Sequence, residues 1–396
     1  MIKATPSNLP RGWQIDSISN LTNNLDNRRI PLNQEQRSEK EGKGSYPYVG
    51  ANNIVGYIDE YLFDEKILCI AEDGGSWGYN ETCAFIMNEK CWVNNHAHVL
   101  TAKENLVIEY LKYYLNYADL NLHINGATRG KLNQSALNKI EIPLPPLAEQ
   151  QKIAAILDAA DSLRQKDQQL VERYTALSQS LFLEMFGDPV TNPMGWDKKR
   201  LFELTNMITD GKHGDCQNEN GSGYFFISAK DISNQLINYS NAREILQKDF
   251  EEVHRRTDLR VGDLVMVNTG ATIGKVAIAT DLEKTEKTTF QKSVAVIKPN
   301  KELLSSVFLK YVFLLRIESY SSKGSGSAVK NLLLSEMRRF EIIAPDLNLQ
   351  NQFAERIQLI EAQKQQAQKS LAKSEALFNS MLQRTFTGEL TAKMAA

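Results

Sequence analysis

Few residues in this chain stand at spacings that bond-making chemistry needs. A base-flipping adenine methyltransferase holds its target with a polar-Pro-Pro-aromatic turn and its cofactor with a glycine bend after a strand. The Pro-Pro here, Pro145-Pro146, is flanked by Leu144 and Leu147 and opens a helix. Gly221-Ser222-Gly223 and Gly324-Ser325-Gly326 follow no clear apolar strand. Gly270-Ala271-Thr272-Ile273-Gly274-Lys275 lacks the spacing and the trailing hydroxyl of a phosphate loop. Glu41-Gly42-Lys43 offers a nuclease-like carboxylate and lysine without an acidic partner. Cys91, His96 and His98 are zinc ligands by type, but no fourth ligand is evident, and they read as ordinary strand residues. His123, His213 and His254 read as exposed or hydrogen-bonded side chains, and no Ser/His/Asp or Cys/His arrangement stands out. The expectation is a chain with no catalytic, cofactor-binding or metal residues.

Composition narrows the class further. The 396 residues are enough for two separate cores. With 46 Lys+Arg against 48 Asp+Glu, the formal charge of −2 argues against a lone electrostatic DNA binder. Residues 1–146 carry 14 basic and 17 acidic residues, whereas 188–346 carry 22 and 21. That balance leaves nucleic acid open as a ligand shared with partners. Met1–Ser7 has no apolar signal core, and the apolar run near Leu303–Ile317 is interrupted by Lys310 and too short to span a bilayer. Four cysteines without CxxC spacing suit reduced thiols in the cytoplasm.

The elements that would position any site are written twice. Pro10-Arg11-Gly12-Trp13 recurs as Pro193-Met194-Gly195-Trp196, and the tryptophans are expected to pack under their domains. Leu68–Gly78 matches Leu264–Gly274, Leu111-Lys112-Tyr113 matches Leu309-Lys310-Tyr311, and Ile140–Leu147 matches Phe340–Leu347. Leu181-Phe182 matches Leu377-Phe378 at a shorter offset, which implies a slip of four residues between the two copies. Each copy shows short strand-like runs, a helical stretch and one long helix. The implied domains are 1–146, a helix over 147–187, 188–346, and a helix with tail over 347–396.

Apolar residues step by three and four along both helices, which predicts an antiparallel coiled-coil-like pairing. The expected seam is Ile153, Ile156, Ala160, Leu163, Leu170, Tyr174, Leu177 and Leu181 against Phe353, Ile357, Ile360, Ala367, Leu371, Phe378 and Met381. Asp167 and Lys364 interrupt it near a common midpoint and are expected to form a register-fixing pair. The many glutamines, from Gln150 and Gln151 to Gln366 and Gln368, suit either a neutral solvated face or a surface for another protein.

At Ile140–Asp161 (IEIPLPPLAEQQKIAAILDAAD), Leu181–Pro189 (LFLEMFGDP), Thr191–Trp196 (TNPMGW) and Gly262–Ile278 (GDLVMVNTGATIGKVAI) the whole chain resembles a specificity subunit of a type I restriction–modification enzyme. In the second copy, Asp346 replaces the second proline. The resemblance implies an α+β fold. Two mixed target-recognition domains would be separated by two long antiparallel helices in a pseudo-twofold repeat. Each domain would read one half of a split, asymmetric site in double-stranded DNA. It further implies two methyltransferase subunits carrying S-adenosylmethionine, and restriction subunits supplying ATP- and magnesium-dependent motor and nuclease functions. The chain itself would be non-catalytic and would have no membrane partner.

Base readout favours Arg or Lys for guanine and Asn or Gln for adenine. Polar loop residues at matching places are therefore candidates for DNA contact. In the first copy they are Asn52, Asn53, Trp77, Tyr79, Asn80, Arg129 and Lys131. In the second they are Lys230, Asn268, Thr269, Lys275, Lys292 and Lys330. Lys212, His213, Arg255 and Arg256 are further surface charges that could serve. Two other readings stay open: an autonomous DNA-modifying enzyme fragment, and an interaction scaffold without DNA readout.

Overall fold

The computed structural model describes residues 9–41, 44–126, 129–316 and 331–392. The chain folds as two compact units, Met1–Gln168 with Gln368–Ala396, and Gln169–Ala367. Each unit therefore takes one globular region and half of each long helix.

In the first unit the apolar run Ile67–Ala71 is buried at every position, as a central strand must be. It sits in an antiparallel sheet of order Thr22–Asn24, Ala97–Ala102, Ile67–Ala71, Ala84–Met87. A second sheet runs Ile54–Ile58, Tyr46–Val49, Trp92–Val93, the last pair parallel. Gln14–Ser17 pairs with Glu141–Leu144 and closes the domain at the foot of the first long helix.

The second unit repeats this plan. Thr205–Asp210, Val294–Pro299, Leu264–Val267 and Val276–Ile278 make the antiparallel sheet. Arg243–Glu244, Phe225–Ile227 and Thr288–Phe290 make the three-stranded one, again with one parallel pair. Lys198–Arg200 pairs with Glu341–Ile343. The same strand order and the same parallel exception in both halves are the structural form of the repeat.

The long helices span Leu147–Phe186 and Leu347–Phe386. Their ends and their burial pattern correspond at a constant offset of 200, so the four-residue slip expected from Leu181-Phe182 and Leu377-Phe378 is corrected: Phe182 and Leu382 are the matching buried pair. The seam is corrected too. Leu163, Leu170 and Leu177 are 45 %, 39 % and 49 % exposed. Packing follows the row Ile153, Leu157, Ala160, Asp167, Tyr174 and Phe182, and Ile156 is half-buried. The leucines lie three residues further on, about 60° round the helix, so apolarity marked a flank and not the contact line. In the second helix Phe353, Ile357 and Ala367 are buried, and Ile360, Leu371 and Phe378 are partly so.

Asp167 has a partner other than the expected Lys364. Its carboxylate accepts from the Ser370 hydroxyl at 3.1 Å. Lys364 instead acts on the buried Lys310: burial, with a smaller push from the Lys364 charge, lowers the Lys310 pKa against the pull of Glu361. Two glutamines also leave the expected solvated face. Gln150 and Gln350 are 1 % exposed. Gln150 donates to the Pro145 and Asn105 carbonyls and accepts from the Val107 N–H at 2.9–3.0 Å. Gln350 does the same with Pro345, Leu303 and Ser305. Each amide stitches the start of a long helix to the loop before an earlier helix, Ile108–Tyr117 in the first unit and Ser306–Leu315 in the second.

Candidate nucleic-acid interface

In each unit the end of the central strand carries some of the candidate residues or their bridging partners, Lys131 in the first and Thr269 in the second. In the first unit that strand delivers Glu72 and Asp73, and the neighbouring strand begins after His96. The two strands are joined there, with the Glu72 N–H donating to the His96 carbonyl at 2.8 Å. The incoming segment at Asn125–Lys131 bridges to Asp73 through Lys131.

Below this surface lies a charged cluster. The Asp26 carboxylate accepts from His98 Nδ1 at 2.5 Å and from the Val99 N–H at 2.8 Å. His98 Nε2 donates to the Leu132 carbonyl at 2.7 Å. Glu72 pairs with Arg29 at 2.7 Å and with Lys131 at 3.0 Å. Burial pushes the Asp26 carboxyl up, but the His98 hydrogen bond and charge, with the Val99 and Arg29 interactions, outweigh it and leave the pKa lowered. Glu72 is likewise lowered, burial being overcome by Arg29 and Lys131. Asp26, Glu72 and His98 would suit a cation by type and proximity. However, both His98 nitrogens already face acceptors and the carboxylates face cations, so this constellation serves structure.

Because both folded carboxyls titrate below their ordinary values of 3.8 and 4.5, their contribution is complete above that range. It is lost as pH falls through the lower folded values. Hydrogen-exchange protection of Ala97–Ala102 is expected to drop in acid, and Glu72→Gln should flatten that dependence; an unchanged acid limb in the variant would refute the assignment.

Above the cluster the side chains are open. Arg129 is 66 % exposed while its guanidinium holds Asp73 at 2.8 Å, and Lys131 is 50 % exposed. Asp73 also accepts from His96 at 2.9 Å. Asn52 donates to the Gly74 carbonyl at 3.1 Å, and Gly74 adopts a φ of +66°, which a side chain would disfavour. Asn53 is exposed. Tyr79 is 60 % exposed, propped edge-on by Tyr117 with ring centroids 5.0 Å apart. Asn80 donates to Asn379 at 3.2 Å. Trp77 is corrected: it is 6 % exposed, its indole N–H goes to the Ala71 carbonyl, and a Cβ at Gly130 would stand 3.1 Å from its ring. The aromatic is a core wedge that fixes the loop.

In the second unit Thr269 takes the place of Asp73 and Asn331 that of Lys131, and the Thr269 hydroxyl donates to Asn331 at 2.9 Å. Asn268, in the place of Glu72, is 3 % exposed and is corrected to an interior residue, because strand pairing draws it under the loop. Lys275 and Lys292 are half-buried and Lys230 is exposed. The Lys292 N–H donates to the Lys212 carbonyl at 3.0 Å, which brings those lysines to the same sheet end. Lys330 lies outside the described residues. Sequence reasoning missed the exposed strand positions Ile54, Val55 and Tyr57, which alternation alone would have placed half in the core.

The thiols are inert. Burial pushes Cys83 and Cys91 up to about 12 and raises Cys69 well above the ordinary thiol value. Among the described residues no helix is long and apolar enough to cross a membrane.

Residues 10–173 and 193–373 match the family described as "Type I restriction modification DNA specificity domain". A type I restriction enzyme specificity subunit described for Haemophilus influenzae is 36 % identical over 152 residues, covering 38 % of this chain and 37 % of that one. The EcoBI specificity subunit of Escherichia coli is 23 % identical over 430 residues, covering 96 % and 86 %. The crystal structure of a type I restriction–modification system S subunit from M. genitalium superimposes with a TM-score of 0.60 at 14 % identity, over 97 % of this chain and 98 % of that one, a likeness of fold.

Proposed function

This chain belongs to the family of type I restriction–modification specificity subunits, and on that premise we propose that each unit reads one half of a split DNA site. The observation that carries this is the pairing of a repeated framework with unlike surfaces. Both units use the same strand order, yet the central strand ends in Glu72-Asp73 in one and Asn268-Thr269 in the other. Equal scaffolds with different side chains at equivalent places suit two different half-sites.

A pseudo-twofold chain offers two equivalent faces to two copies of one partner. The exposed leucines and glutamines of the long helices are the faces proposed for methyltransferase subunits. S-adenosylmethionine, ATP and magnesium then belong to the methyltransferase and restriction partners, and this chain supplies address and spacing.

The test is long-read mapping of methylated motifs in cells expressing this chain with its methyltransferase. A bipartite motif is expected. Methyl transfer or cleavage by the purified chain alone would replace the reading with an enzyme, and a complex without sequence preference would leave only a scaffold. Arg129→Ala is expected to relax one half of the motif, weakening recognition there by about 1–3 kcal/mol. As an exposed residue it should change stability by less than about 0.5 kcal/mol. Motif mapping and a thermal melt check the two parts.

A further inference from the structure

The second unit carries a concentration of positive charge that its counterpart lacks. Arg200, Arg316 and Arg339, with Phe340 and Glu341, line an open cavity of about 620 Å³ at the foot of the domain. Arg200 comes from the edge of the two-stranded sheet, Arg316 ends the helix Ser306–Leu315, and Arg339 caps the short helix Leu334–Arg338. Three separate elements thus aim guanidiniums at one space. The Arg316 side chain donates to the Glu341 carbonyl. Arg200 and Arg339 are exposed, and the Glu203 carboxylate accepts from the Arg200 backbone N–H at 2.6 Å. Lys198 and Lys199 precede Arg200 on the same exposed strand and extend the charge.

The repeat supplies an internal control. The Leu201 N–H donates to the Phe340 carbonyl as the Ile18 N–H does to Ile140, which makes Ser17 the counterpart of Arg200 and Lys139 that of Arg339. Matching helix caps make Ala118 the counterpart of Arg316. The fold needs none of these arginines, because the first unit builds the same sheet and caps without them. Three of the five lining residues are arginines and one, Glu341, is acidic, so the lining is net positive and suits an anion. A planar guanidinium fork suits the paired oxygens of a phosphate.

We infer that this cavity binds backbone phosphate of duplex DNA, so that the second unit grips the duplex independently of sequence while the first has no equivalent hold. The inference rests on the DNA-specificity reading and adds to it a named, one-sided phosphate site. It also bears on the −2 net charge: local convergence, not global excess, provides the attraction.

The test measures binding of the full chain with its methyltransferase subunits to a motif-bearing duplex and to a random-sequence duplex across a salt series. The double variant Arg200→Gln/Arg339→Gln is compared with wild type. Each phosphate left without its cation reduces the slope of log K against log salt by about 0.9, so the variant is expected to lower it by roughly 1–2. Affinity for both duplexes should fall by a similar factor, with the methylated motif unchanged. Arg200→Lys/Arg339→Lys should retain the slope, which separates charge from folding. An unchanged slope in the Gln variant overturns the site. Loss of inorganic-phosphate binding without a change on DNA, or loss of subunit assembly alone, would do the same by assigning the cavity to free anion or to protein. A wild-type complex with no preference between the duplexes would instead fail the specificity reading itself.

Discussion

Replacing Phe353 with alanine is expected to destabilise the second unit by about 3–5 kcal/mol. Phe353 is fully buried at the start of the second long helix. Its ring stands edge-on to Phe182, Phe186 and Tyr311, with centroids 5.5, 5.4 and 5.2 Å away. Phe308 closes the cluster, 4.8 Å from Phe186 and stacked on Phe182 at 5.6 Å. Removing the ring forfeits its transfer free energy, leaves a cavity and breaks three aromatic pairs, each worth about 0.5–1.5 kcal/mol beyond area. The helices meet the domain through this cluster, so the loss should spread into Leu264–Val267. Hydrogen exchange of that strand, followed against Ile67–Ala71 in the first unit as an internal reference, reads the effect. A loss below about 1 kcal/mol, the size of an average substitution, would mean that the site collapses around the missing ring and that the cluster is not the joint.

Much of this architecture is legible in the residues because repetition doubles every signal. The buried runs Ile67–Ala71 and Leu264–Val267 fall on matching central strands, and the Pro-rich starts at Pro145-Pro146 and Pro345 fall at the feet of the two long helices. What periodicity could not choose was the contact line. A leucine row at seven-residue spacing and a mixed row through Ala160, Asp167 and Tyr174 have the same period, and packing selected the mixed one. Gln150 and Gln350 were hidden for a related reason. Composition counts them among solvated glutamines, whereas their burial depends on carbonyls at Asn105 and Leu303, some 45 residues away in sequence. Trp77 and Asn268 show the limit for the candidate interface. Both sit in loops rich in glycine and polar residues, and only tertiary packing decides which loop side chains turn inward.

The charged cluster under the first unit's surface is the clearest case of such tertiary dependence, and it gives the second large prediction. Asp26→Ala is expected to cost about 3–5 kcal/mol, as removing one partner of a buried ion pair does. His98 is 1 % exposed with both ring nitrogens facing acceptors. Without Asp26 its remaining anionic neighbour is Glu72 at 3.8 Å, and the Val99 N–H loses its acceptor. Asp26→Asn keeps the shape but not the charge and should cost less, about 1–3 kcal/mol. The effect should reach function through His98, which holds the Leu132 carbonyl next to Lys131. Loosening that segment frees Arg129 and Lys131 from their fixed aim. The mapped motif should then lose definition in one half while the other half stays sharp. Thermal melts of Asp26→Ala, His98→Ala and the double variant close the argument. If the two side chains act as a pair, the double variant loses clearly less than the sum of the singles, by a coupling within about 0.5–3 kcal/mol. Strict additivity would show that Asp26 acts through its other partners, the Val99 N–H, Arg29 and Asn24, and that the surface above the cluster does not depend on the Asp26–His98 pair.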